Sequence, residues 1–397
     1  VALPTDDDGL DLDALERELG AGDAAFLYLI PTFQNPSGRT LPVDRRRRIA
    51  ELAAEHGLLV LEDDPYGLVR YEGEELPSLF ELSGGAAIYS SSFSKTVAPG
   101  LRVGWFVFLA QRLAPGRRVL VEQPTYDRPL KILRELGADI VALPTDDDGL
   151  DLDALERELG AGDAAFLYLI PTFQNPSGRT LPVDRRRRIA GLAAEHDLLV
   201  LEDDPYGLVR YEGEEPPSLL ELAGGEDVIY SSSFSKTIAP GLRVGWFVLP
   251  TPLAEAIDAL AVSTYITPVL LSQATVAEFV TRGSFEPNLE RVRGLLRERR
   301  DTMLEALDRH FPPEASWTRP EGGYFLWVDL PPGQSTADLL ERATAAGVPF
   351  VPGADFYPAG SGRGESSARL AFSFASPAEI AEGVERLASL LPAGVSS

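Results

Sequence analysis

The sequence predicts an α/β protein in which a mostly parallel sheet, covered by helices on both faces, is joined to a smaller α+β region. Three observations carry this. Short apolar runs alternate with stretches of helical periodicity over about 117–249, the pattern of strands buried on both faces. At Thr251 the text changes to successive helical stretches, and short strands return only near the C-terminus. A domain-sized segment is also written twice.

In order, "RRVLVEQ" (117–123) is an apolar run and reads as a strand, and "DRPLKILRELG" (127–137) as a helix opened by aspartate and closed by glycine. "ADIVALP" (138–144) is the next strand and "LDLDALEREL" (150–159) the next helix. Then come the strand "AAFLYLI" (164–170), a helix over 182–196 that starts after a proline, and the strands "LLVLEDD" (198–204), "DVIYSSS" (227–233) and "RVGWFVL" (243–249). Helical patterns occupy 251–263 and 269–282, and a long charged one covers about 285–310. Beyond it "GGYFLWVDL", "VPFVPG" and "ARLAFSF" are strands, and "SPAEIAEGVERLASLL" is a closing helix.

A chain of 397 residues with 44% hydrophobic content suits two or three globular domains. The division expected is 1–107, 108–283 and 284–397. No apolar run reaches the ~20 residues of a membrane span, and "VALPTDDDGLDL" has no signal-peptide pattern, so a cytoplasmic enzyme is expected. Val1 is not an initiator methionine, so the written chain is expected not to begin at its natural start. Absence of cysteine excludes disulfides and thiolate chemistry. The three histidines leave little for a zinc site, and His56 and His196 read as surface or capping residues at helix ends. A net charge of −25 argues against nucleic acid or an anionic membrane as partner. "RRRR" at 185–188, repeated at 45–48, reads as a solvated helical face.

Val1–Gly85 matches Val141–Gly225 with five substitutions, and Ile88–Val107 then matches Ile229–Val248 after a one-residue change of length. A unit of this size present twice is domain-sized and not a solenoid repeat, and its near-identity points to a recent duplication or to an assembly error in the gene or its reading.

Several motifs fail on context. "GAGDAA" (160–165) follows a helix and precedes a strand, whereas a dinucleotide turn needs the opposite order. "SFSK" (233–236) has no K-T-G to complete a serine acyl-transferase set. The carboxylates "EDD" (202–204) are open to a magnesium site on chemistry alone.

Lysine is the informative residue. The chain has only Lys95, Lys131 and Lys236 among its 36 basic residues, and two of them hold the same place in "SSSFSKT". An amine that loses its proton in a desolvated or cationic setting attacks a carbonyl, which arginine cannot do. Around Lys236 stand the groups pyridoxal phosphate requires. Asp203 is a carboxylate for the ring nitrogen, Asn175 and Tyr206 are donors for the ring oxygen, and Ser233, Ser235 and Arg243 are hydroxyls and a cation for the phosphate.

Seven motifs in order extend this: "VEQPTYD" (121–127), "PTFQNPSGR" (171–179), "LEDDPYG" (201–207), "SSSFSKTIAPGLRVGW" (231–246), "RPEGGYFLWVDLP" (319–331), "VPGADFY" (351–357) and "ARLAFSF" (368–374). Over about 110–397 the chain resembles the class I/II aminotransferases of PLP fold type I, nearest the branch of 2-aminoadipate-type enzymes and MocR aminotransferase-like domains. The resemblance implies a fold type I large domain with a smaller C-terminal domain, and a homodimer. It also implies a pyridoxal 5′-phosphate cofactor and ping-pong amino transfer between an α-amino acid and a 2-oxo acid. It implies that Tyr126 stacks on the cofactor ring, that Asn175 and Tyr206 hold the ring oxygen, and that Asp203 pairs with the ring nitrogen. By the same resemblance Lys236 forms the Schiff base and shuttles the proton, Ser233, Ser235 and Arg243 hold the phosphate, and Arg369, with Asn175, takes the substrate carboxylate.

The chain departs from that pattern before "PTYD". By the resemblance, the family's strand and glycine/serine-rich phosphate turn are expected to be replaced by "GLRVGWFV" running into "FLAQRLAPGRRV" (108–119), and the family's N-terminal segment is expected to be missing. Loss of an anion-binding helix N-terminus implies weaker cofactor binding, so a catalytically impaired or ligand-sensing protein is the alternative expectation. The first copy repeats Asn35, Asp63, Tyr66, Lys95 and Arg102 but lacks a preceding "PTYD" and a following carboxylate-binding arginine. Lys236 is therefore expected to be the working lysine. The first copy is expected to be a half-domain packed alongside, a competitor for the same slot, or partly disordered.

Overall fold

The main sheet is built from β1 (Arg118–Gln123), β2 (Asp139–Asp146), β3 (Gly149–Leu150), β4 (Phe166–Leu169), β5 (Val200–Asp203), β6 (Val228–Ser233) and β7 (Gly245–Val248). In this computed structural model the described residues are 1–22, 24–34, 36–64, 76–91, 105–225, 227–264, 269–331 and 333–391, with backbone alone at 90–91, 105–108 and 260–264. The strand order is β7-β6-β5-β4-β1-β2-β3. β1, β2, β4, β5 and β6 are parallel, and only the edge strands β3 and β7 run antiparallel to their neighbours. The link from β6 to β7 is too short for a crossover helix, and it returns through a 3-10 turn at Pro240–Leu242.

Alternation along the strands sorts side chains to two cores. Leu120, Leu167, Leu169 and Val200 face one layer with the helices Leu152–Ala161 and Val183–Glu195. Val119, Val121, Phe166, Tyr168, Leu201 and Ile229 face the other, with Leu109, Leu130 and Leu133 of the helices Trp105–Leu113 and Asp127–Glu135. Asp151 caps the first helix of the former layer by accepting from the Ala154 N–H at 3.0 Å. Both faces are therefore dry, which is why the strands read as near-continuous apolar runs.

The "RRRR" helix corrects the expectation of a solvated face. Arg186 is 1% exposed. Its guanidinium donates to the carbonyls of Leu181 (2.9 Å), Pro171 (2.7 Å) and Pro217 (3.3 Å) and to Thr172 Oγ1 (2.8 Å), tying the helix to the loop after β4. A buried guanidinium is tolerated because it is hydrogen-bonded and lies 3.8 Å from the Glu202 carboxylate. His196 is exposed at its helix end, as read.

Beyond β7, the long helix Phe285–His310 and the closing helix Pro377–Ser389 pack with a four-stranded antiparallel sheet. Its order is β8 (Ser316–Trp317), β9 (Phe325–Asp329), β11 (Ser367–Ala371) and β10 (Val351–Pro352). The helix Thr336–Ala345 adds to the sequence reading; its N-cap Ser335 accepts from the Asp338 N–H at 3.2 Å.

Val1–Leu101 with Pro268–Leu271 forms one compact unit, and the remainder of the chain the other. The first holds a three-stranded parallel sheet of Leu27–Leu29, Val60–Asp64 and Ile88–Ser91. Its helices Leu12–Ala21 and Val43–His56 reproduce those of the second copy. Burial does not follow sequence identity. Phe26 is 56% and Tyr28 51% exposed, against 2% and 0% for Phe166 and Tyr168. Burying such a ring is worth about 2–3 kcal/mol, so identical letters contribute unequally in the two copies. Among the described residues no helix is long and apolar enough to cross a membrane.

Candidate active site

Tyr126, Asn175, Asp203 and Ser233 all sit where strands of the parallel sheet end or just beyond, at its C-terminal edge. That is where open α/β sheets place their ligands. Asp203 closes β5 and shares a face with Tyr168, because Leu201 pairs with Tyr168 in register and Asp203 lies two residues on. The Tyr168 hydroxyl donates to Asp203 Oδ2 at 2.8 Å. Burial raises the Asp203 carboxyl to about 6; the Tyr168 hydrogen bond opposes this, Asp204 adds to it, and Ser231 opposes it.

The three carboxylates of 202–204 diverge. Glu202 accepts from the N–H groups of Leu219 (3.0 Å) and Leu220 (3.1 Å), and burial pushes its carboxyl up to about 7. Asp204 accepts from the Gly207 N–H at 2.8 Å and the Tyr230 hydroxyl at 3.1 Å. Among the described residues no group of three or more His, Asp or Glu side chains could hold a metal ion.

Lys236 follows β6 and lifts its amine over two rings, 5.7 Å from the centre of Tyr206 and 5.2 Å from that of Tyr324. The Tyr324 hydroxyl donates to the Lys236 carbonyl at 2.6 Å and fixes the backbone beneath it. Burial, then the charges of Arg369 and Arg243, hold the amine below the usual lysine range. Tyr206 is 5% exposed, and burial drives its phenol well upward, so it stays a hydroxyl donor. The Ser235 N–H donates to Ser233 Oγ at 3.3 Å, and Arg243 Nη1 donates to Ser235 Oγ at 3.4 Å. Two hydroxyls and a cation thus share one corner.

Arg369, on β11, reaches the loop after β4, where its Nη1 donates to Asn175 Oδ1 at 2.8 Å. Its guanidinium lies 4.1 Å from the centre of the Phe325 ring and 5.0 Å from that of Phe356. Arg369 Nε is buried without a hydrogen-bond partner among the described residues. A buried orphan donor costs about 1–3 kcal/mol, so it marks capacity for an acceptor.

The Asn175 loop is braced from below. Gln174 donates to the Pro124 carbonyl at 2.7 Å and accepts from the Ser177 N–H at 2.9 Å and its hydroxyl at 2.7 Å. Glu122, 2% exposed, accepts from the Ile170 N–H at 2.9 Å; burial pushes its carboxyl up to about 8. Gly178 is required at φ +72°, where an added Cβ would lie 2.7 Å from the Phe325 carbonyl. Tyr126, immediately before the helix Asp127–Glu135, packs half-buried against the core layer that contains Tyr168 and Leu201. Its phenol is raised by burial and lies within the fields of Asp203 and Arg369.

The structure thus brings Tyr126, Asn175, Asp203, Tyr206, Ser233, Ser235, Lys236, Arg243 and Arg369 into one unit of the chain. Sequence reasoning assigned no role to Tyr168, Tyr324, Phe325, Phe356, Glu122 or Gln174. For Tyr168 the register of β4 and β5 was the missing signal. In the first copy Asp63 accepts from the Tyr28 hydroxyl at 2.7 Å, while Asn35, Tyr66, Lys95 and Arg102 lie outside the described residues.

The family profile "Aminotransferase class I and II" matches residues 2–112 and again 106–387. An uncharacterised aminotransferase of Saccharolobus solfataricus is 34% identical over 89% of this chain and 88% of its own length. The 2-aminoadipate transaminase of Thermus thermophilus is 42% identical over 70% of each. The solved kynurenine aminotransferase of Pyrococcus horikoshii, in complex with PMP, superposes with a TM-score of 0.69 at 30% identity, covering 96% of this chain and 93% of that one.

Proposed function

The chain belongs to the class I and II aminotransferases, and from that premise we propose that it moves an amino group between an α-amino acid and a 2-oxo acid by a ping-pong route. Its cofactor is pyridoxal 5′-phosphate, which when bound supplies an electron sink for negative charge developing at the substrate Cα. The observation that carries the reading is Lys236. A half-buried amine with a lowered proton affinity stands over Tyr206 and Tyr324 beside two arginines. An amine so placed holds its proton less tightly than an ordinary lysine, which favours it as a base and nucleophile.

The residues present fit the group. Asp203, anchored on one oxygen by Tyr168, would hold the pyridine nitrogen with its carboxylate. Asn175 spends its carbonyl on Arg369, which leaves its amide N–H₂ to donate, together with the Tyr206 hydroxyl, to the ring oxygen. Tyr126 would cover the ring, and Ser233, Ser235 and Arg243, already linked by hydrogen bonds, would hold the phosphate. Arg369 turns its unpaired Nε to the substrate α-carboxylate, and that interaction orients Cα toward Lys236 Nζ, which takes and returns the Cα proton. We infer from the sequence that the family's phosphate turn is not supplied before Trp105, and phosphate binding would then rest more heavily on these three groups. The active form in this reading is a homodimer.

The test is borohydride reduction after incubation with pyridoxal phosphate, followed by peptide mapping and a spectral titration with 2-aminoadipate and kynurenine. Labelling of Lys236 alone, with the bound cofactor converted to its amine form, is the expected result. A label on Lys95, or none, removes the assignment of the working lysine. Cofactor binding with no half-reaction for any amino acid removes the transaminase reading.

A further inference from the structure

Tyr168 is fully buried in the middle of β4, yet it carries a hydroxyl that an apolar residue would spare the core. That hydroxyl is directed at the Asp203 carboxylate, 2.8 Å from Oδ2. The pair is a product of strand register. Tyr168 lies opposite Leu201, and Asp203 is the next residue of β5 on the same face. The first copy makes the same bond at 2.7 Å from Tyr28 to Asp63, with Tyr28 opposite Leu61 and half exposed. Two parallel strands in this register therefore form the bond with or without the surrounding core.

We infer that Tyr168 is a positioning residue: by holding Oδ2 it fixes the rotamer of Asp203 and leaves Oδ1 to face the ligand at the sheet edge. The inference rests on the reading of Asp203 as the partner of the cofactor's ring nitrogen. A hydrogen bond to a charged acceptor also favours the ionised form, and here it works against burial and against Asp204, with Ser231 assisting and Tyr126 and Tyr206 close by. Only an ionised carboxylate keeps the pyridine nitrogen protonated.

The test uses Tyr168→Phe in the full chain with two readouts. In the cofactor-free protein, carbon NMR of labelled aspartate is expected to show the Asp203 carboxyl titrating at higher pH than in the wild type. Affinity for pyridoxal phosphate is expected to fall about tenfold or more, the worth of one hydrogen bond to a charged group, while affinity for a deaza analogue without the ring nitrogen is unchanged. An unmoved Asp203 titration, or an equal loss for both ligands, overturns the inference. Should the Phe variant not fold, fluorotyrosine at position 168, a stronger donor of the same shape, is expected to move the titration downward, and no movement overturns it. If the wild type binds no pyridoxal phosphate the functional reading fails, and the cofactor-free titration still decides the role of Tyr168.

Discussion

Replacing Arg369 by alanine tests the site where its geometry is most specific. The guanidinium makes one bond to Asn175 Oδ1 at 2.8 Å and keeps Nε buried and unpaired, packed between Phe325 and Phe356. A substrate carboxylate engages that free donor and one more N–H. At about 1.5–3 kcal/mol for each bond to a charged group, the truncation removes roughly 3–6 kcal/mol of binding to the carboxylate. This corresponds to a fall in kcat/KM of roughly 10²- to 10⁴-fold. The loss of a positive charge also raises the proton affinity of Lys236, because Arg369 is the second cause of its depression after burial. The acid limb of the pH–rate profile therefore moves to higher pH. The assay is single-turnover reaction with an amino acid and with the corresponding amine that lacks the carboxylate. The variant penalises the acid and leaves the amine within a few-fold. An equal loss for both substrates refutes the assignment of Arg369 to the carboxylate.

Two further outcomes test the supports of the site. The Glu122 carboxyl has a folded-state value near 8 against 4.5 for the free group, so its stabilising contribution is full below about 4.5 and is lost as pH rises toward 8. Glu122→Gln is expected to remove that slope, and urea unfolding at pH 5 and pH 8 should show the wild type losing stability relative to the variant by up to the order of 4 kcal/mol; parallel curves exclude a buried neutral acid. Gly322→Ala places a Cβ 2.2 Å from Phe173 Cζ and 2.5 Å from the Val209 carbonyl, and Phe173 cannot yield readily because it is buried at φ +50° beneath Arg210. A cost of about 3 kcal/mol or more and a clear drop in Tm are expected, and an unchanged melting curve would falsify that packing.

Much of this was legible in the letters. The alternation of apolar runs with helical periodicity located every strand of the main sheet except the two-residue β3, because burial on both faces demands apolar residues at consecutive positions. Lys236 and Asp203 stood out by chemistry, as an amine and a carboxylate, whereas Arg369 was reached only through the family resemblance of "ARLAFSF". The "RRRR" helix was misread because period alone does not reveal that Arg186 is the one arginine turned inward, toward backbone carbonyls that loops leave unpaired. Tyr168 was passed over as one aromatic in an apolar run, since its task depends on which residue of β5 lies beside it.

Local periodicity and the chemistry of single side chains were enough to read the fold class, the two near-identical copies and the residue types of the site. The tertiary structure decided what the copies have unequally. Phe26 and Phe166, or Tyr28 and Tyr168, share every neighbour in sequence and differ from exposed to buried. What separates them is the material around β4, where β1 and the helices Trp105–Leu113 and Asp127–Glu135 complete a core. Burial, desolvation and the proton affinities that follow from them are properties of the surrounding packing, and no repeated phrase carries them with it.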